Sequence, residues 1–172
     1  NASVPGLDFG LVAYYPFDGN ASDMSGNNGH GLVVGATPTD DRHGQAGNAY
    51  SFDGVDDRIR INDQALNGKN AFSISFWNKT GNHRLQHWFS GANNGMQNEF
   101  NLEQSPANTM RIYSKGQMAQ FHTLGGQLST ADWIENWNLL TFSRTSSSAH
   151  LKVYANGIFK ADFGMAAGTS SI

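Results

Sequence analysis

The chain has 172 residues, enough for one domain with a substantial core. Its formal net charge of −3 gives no basic stripe for nucleic acid or anionic membrane, and with no cysteine there is neither a disulfide framework nor a thiolate metal site. Twenty glycines, 12% aromatic residues and only 15% charged residues suit a turn-rich β protein, and no apolar run is long enough to span a bilayer. In chain order, short alternating or aromatic-rich runs predict strands over 11–17, 30–35, 49–53, 58–61, 72–77 and 85–91. Six more follow over 98–103, 109–114, 120–124, 138–144, 150–155 and 158–163. Between the first two lies a polar loop, FDGNASDMSGNNGHG (17–31). Asn156-Gly157 separates the last two runs, and both residues tolerate the positive φ of a tight hairpin. The expected architecture is all-β, an antiparallel two-sheet sandwich with no long helix.

The blocks LVAYYPFDGNASDMSGNNGHG, AYSFDGVDDRIRI, FSISFWNK, WNLLTFSR and LKVYANGIFK occur in an order that resembles the laminin-G-like, concanavalin A-like jelly-roll family, from about residue 11 to about 160. The resemblance implies a single domain over 1–172 with two curved antiparallel sheets. It also implies a module of a secreted or cell-surface protein, often carbohydrate-active or adhesive and often with calcium. Family members close with a strand resembling G-x-I-D-D-V-R-I-Y, whereas residues 161–172 read ADFGMAAGTSSI. The expectation is a module without that closing strand, whose unpaired edge would find another chain in a strand-edge dimer.

The segment NEFNLEQ (98–104) carries Glu99, Asn101 and Glu103 at strand spacing, so they share one face, with Phe100 and Leu102 turned to the core. The outer α-carbons would lie roughly 13 Å apart at about 3.3 Å per residue. Inward-leaning carboxylates would then approach about 5 Å, the separation of a retaining glycosidase. The pattern also resembles the E-x-D-x-E strand of laminarinase-type glucanases, by which Glu99 would be the nucleophile and Glu103 the acid/base. Asn101 departs from it. An amide cannot share a proton and split its neighbours' pKa values as a middle carboxylate does. The same face could instead bind sugar hydroxyls, or be a solvated sheet surface.

Other residues complete the candidate set. Trp77 lies opposite Phe72, Ile74 and Phe76, on a face with Ser73 and Ser75, and could stack on a pyranose ring or pack under a loop. Trp88, alternating with Gln86 and Ser90, should be partly exposed. Arg111 and Tyr113 alternate away from Met110 and Ile112 and could lie beside the glutamate strand. In the 17–31 loop the resemblance implies Ca²⁺, with Asp18 and Asp23 as side-chain ligands, although the spacing is not that of an EF-hand. The alternative is a loop whose side chains bond their own backbone. Of the six histidines only His83 and His87 stand at i, i+4, in a segment that reads as strand and loop rather than helix, so no zinc pair is expected, and no nucleophile elbow or phosphate loop is present. The resulting expectation is a non-catalytic extracellular module that binds a glycan or cell-surface polysaccharide, with a glycoside hydrolase using Glu99 and Glu103, or a structural spacer, as alternatives.

Overall fold

A computed structural model of the chain describes residues 9–61, 71–81, 86–90, 100–105, 109–114, 117–123, 135–145 and 150–164. The described residues form twelve strands and no helix: β1 (Leu32–Val34), β2 (Thr37–Thr39), β3 (Ala49–Ser51), β4 (Arg58–Arg60), β5 (Phe72–Asn78) and β6 (Gln86–Ser90), then β7 (Phe100–Ser105), β8 (Thr109–Ser114), β9 (Gln117–Thr123), β10 (Asn138–Arg144), β11 (His150–Ala155) and β12 (Ile158–Gly164). Contacts divide the chain into two compact units, Asn1–Ala65 and Leu66–Ile172.

The first unit holds two antiparallel pairs, β1 with β4 and β2 with β3. Residues 11–17, expected as a strand, are irregular. Pro16 has no N–H to give a ladder. Phe17 takes a φ of 59°, and the Tyr14 N–H goes to the Asp23 carboxylate rather than to a neighbouring strand. Aromatic contacts hold the segment instead: Phe17 lies 6.0 Å from Tyr15 and meets Tyr50 edge-on at 5.4 Å. β2, absent from the sequence expectation, has Pro38 at its centre. A proline is tolerated there because, among the described residues, the strand pairs on one side, with β3.

The second unit is the sandwich. One antiparallel sheet runs β12-β11-β10-β5, the other is the meander β6-β7-β8-β9. Strand alternation builds the core between them. In β10 every second residue is buried, and Leu140 and Phe142 carry that face, joined by Leu151, Val153, Ala155 and Phe163. From the opposite sheet comes Leu102, fully buried, while Trp88 and Phe89 pack against the same cluster. The Phe76 ring lies 6.1 Å from Phe142 and 6.3 Å from Trp88, which joins the two layers. Asn156 (φ 52°) and Gly157 (φ 78°) make the β11–β12 turn in the left-handed region, as the Asn-Gly pair predicts. Asn156 also ties that turn to β10: its Oδ1 accepts the Leu139 N–H at 2.9 Å, and its Nδ2 donates to Asn138 Oδ1 at 2.9 Å.

Candidate functional site

The face of β7 turned away from Leu102 carries Asn101 and Glu103. Both are buried, at 9% and 4% exposure, rather than set on an open polar surface. Their neighbours on β6 are chosen by a bulge. His87 stands opposite Glu103 and Ser90 opposite Asn101, with the register shifting between His87 and Phe89. The extra residue is Trp88, so Trp88 and Phe89 both reach the core and the residues flanking them share the other face. Simple alternation would have put His87 and Ser90 on opposite faces, and it would have left Trp88 on the polar side.

Two cross-strand rungs result. In one, the Ser90 hydroxyl donates to Asn101 Oδ1 at 2.9 Å. In the other, His87 Nδ1 lies 3.5 Å from Glu103 Oε2. Each rung pairs an exposed β6 side chain with a buried β7 one; the His87 side chain is 53% exposed and that of Glu103 only 5%. With its hydrogen given to Asn101, the Ser90 oxygen keeps acceptor capacity for a ligand hydroxyl. Along β8 the register sets Arg111 opposite Glu103 and Tyr113 opposite Asn101. Glu99 lies outside the described residues.

Trp77 belongs elsewhere. It sits on β5 opposite Leu139, 44% exposed, on the outer face of the other sheet. Trp77 and the pair Asn101 and Glu103 therefore lie on two faces that point away from one shared core.

Asp18 is exposed, and Asp23 is buried. Asp23 Oδ1 accepts the backbone N–H of Tyr14 at 3.0 Å and of Ser25 at 2.9 Å; Oδ2 accepts the Ser25 hydroxyl at 2.9 Å and the Gly29 N–H at 3.0 Å. Burial pushes the Asp23 carboxyl up, but these four donors outweigh it and hold the carboxyl at about 2. The Asp23 N–H meets His30 Nδ1 at 3.1 Å, and Tyr15 donates its hydroxyl to the Gly29 carbonyl. Burial, and then the Asp23 charge, raise the Tyr15 phenol. Asp23 is thus turned into its own loop, and a cation held by it would have to displace those donors. Asp53, Asp56 and Asp57 also gather within 4.8 Å of one another. Asp53 caps the N–H of Val55, and Asp57 that of Asp53, each a local turn brace.

A family model described as the concanavalin A-like lectin/glucanases superfamily matches residues 53–171, more than half of the chain. The chain belongs to that superfamily. The matched span takes in every strand of the sandwich unit, while the resembling block at 11–31 lies outside it. Among solved structures, the chain is similar to domain 4 of AbnA, a GH43 extracellular arabinanase from Geobacillus stearothermophilus, in complex with arabinotriose. The identity is 22%, the match covers 91% of this chain and 79% of that one, and the TM-score is 0.47. No curated protein matches the chain.

Proposed function

We propose that the chain is a non-catalytic carbohydrate-binding module of a secreted or surface-attached protein. The observation that carries this reading is the pair of rungs across β6 and β7. One orients the exposed Ser90 hydroxyl by its bond to buried Asn101, and the other sets the exposed His87 imidazole 3.5 Å from the buried Glu103 carboxylate. Sugar hydroxyls require closely spaced donors and acceptors whose geometry is set before binding, because ordering them at the moment of binding costs affinity. Membership of a superfamily of lectins and glucanases supports a glycan as the ligand. Between lectin and glucanase chemistry, the amide at Asn101 favours binding: it accepts a hydrogen bond but cannot take up a proton as a middle carboxylate would.

The test is a glycan array followed by calorimetry on the best ligand. Ser90→Ala removes one oriented hydroxyl and is expected to weaken binding about three- to tenfold, the effect of one net hydrogen bond. His87→Ala should weaken it similarly. Failure to bind any glycan would leave the module a structural spacer, and binding indifferent to both substitutions would remove these rungs from the site.

A further inference from the structure

We propose that the outer face of the β12-β11-β10-β5 sheet is a second glycan-binding surface, one that takes a neutral linear polysaccharide laid across the strands from Trp77 to Phe159. It lies on the side of the sandwich opposite the β6–β7 rungs and uses none of their residues.

The face is built in register. One row across the sheet reads Ser75, Thr141, Tyr154, Phe159; the next reads Ser73, Ser143, Lys152, Asp162. At the β5–β10 junction both rows are hydroxyl pairs: Ser75 and Thr141 are 2.9 Å apart, and Ser73 donates to Ser143 at 3.0 Å. Each pair uses one hydrogen internally, so one hydroxyl hydrogen and several lone pairs per pair still face outward. Such a surface offers donors and acceptors in alternation, the complement of a chain of sugar hydroxyls.

Exposed aromatic side chains stand at the two edges, Trp77 one outward position beyond Ser75 on β5 and Phe159 at the far end of the Ser75 row. Trp77 is 44% exposed on the edge strand β5, and Phe159 is 51% exposed on the edge strand β12. Tyr154 braces Phe159 edge-to-face at 5.8 Å and so fixes its ring. The electron-rich faces of such rings attract the C–H groups of a pyranose or furanose. Three interstrand steps of about 4.8 Å, with an offset of two residues along the strand, put the two platforms roughly 16 Å apart. That span exceeds a single sugar and fits several rings end to end.

The charged side chains of the two rows balance. Asp162 lies between its cross-strand partner Lys152 and His150, whose Nδ1 is 2.8 Å away. Within these two rows the carboxylate offsets the lysine, and the exposed Lys79, two residues past Trp77, adds a positive charge at the rim rather than a cluster that would hold an anionic chain.

Affinity electrophoresis in gels containing neutral linear glucan, mannan, xylan or arabinan tests the assignment, with heparin as the anionic control. At least one neutral polymer should retard the protein. Trp77→Ala and Phe159→Ala should each weaken that retardation about three- to tenfold, as one stacked ring implies. Trp77→Tyr should keep most of it, and thermal melts should show all three variants folded. Monosaccharides of the binding polymer should compete poorly and longer fragments well. Retardation by heparin alone, no retardation by any neutral polymer, or retardation insensitive to Trp77 and Phe159 would overturn the proposal. Sensitivity to Ser90→Ala alone would leave the rung site standing and remove this one, and sensitivity to Trp77→Ala alone would do the reverse.

Discussion

Asn101→Asp restores a carboxylate between the positions of Glu99 and Glu103 and separates two readings of that strand. Ser90 is the donor in its bond to Asn101 Oδ1, so a carboxylate keeps that bond. The new charge would stand two residues from buried Glu103, about 7 Å along the strand. With an effective dielectric of about 20, two like charges at that distance repel by roughly 2.4 kcal/mol. That repulsion raises the introduced carboxyl by roughly 1.5–2 units in the folded state. Because its folded value lies above its unfolded value, the destabilisation is absent below about pH 4, grows up to about pH 6 and is constant above. Urea unfolding at pH 7 should therefore show a loss of about 2 kcal/mol relative to the parent chain, and unfolding at pH 3.5 almost none. Equal losses at the two pH values, or a loss at pH 7 under about 0.5 kcal/mol, would refute the placement of the two groups in one buried, poorly screened environment. The same variant should not hydrolyse β-glucans or galactans. Activity that appears in it and vanishes on adding Glu103→Gln would overturn the binding reading in favour of a glycosidase.

The Asp23 loop gives a second prediction. Asp23→Asn turns one acceptor into a donor facing Ser25 and Gly29, and should lower the stability of the first unit by about 1–3 kcal/mol, read by thermal melting. The Asp23 carboxyl is held at about 2, below its ordinary value, so its contribution is full above about pH 4 and is lost as pH falls through 2. Millimolar calcium added after chelation should leave the melting temperature unchanged; a rise that Asp23→Ala abolishes would instead establish a calcium site. Phe142→Ala, which removes a fully buried ring stacked on half-buried Phe76, should cost about 3–5 kcal/mol in urea unfolding, and a cost near 1 kcal/mol would contradict the sandwich core.

The regular parts of this fold were legible because alternation is a local property. FSISFW announced a strand with Phe72, Ile74 and Phe76 inward and Trp77 outward, and β5 has that pattern of exposure. Asn156-Gly157 announced its hairpin for the same reason: two adjacent residues suffice to set the turn. The bulge at Trp88 was not legible, since nothing in LQHWFSG distinguishes an inserted residue from an alternating one. Its consequence, the pairing of His87 and Ser90 with Glu103 and Asn101, therefore appears only with the register. Residues 11–17 misled because their apolar content is that of a strand, while the Asp23 carboxylate captures a backbone N–H a strand would need. The burial of Glu103 was likewise hidden, because sequence spacing gives the side of a sheet but not what covers it.

The connection between β5 and β10 bears on how the chain reaches its fold. Phe72 pairs with Arg144 and Asn78 with Asn138, so each contact closes a loop of sixty residues or more. β6 to β9 form a meander of neighbouring strands inside that loop and have only short closures to make. On a ribosome, β5 emerges with its apolar face ready and waits through the whole meander for the strand that covers its edge. The slow step of folding is then expected to be the late docking of β10 between β5 and β11, with the meander already assembled as its template.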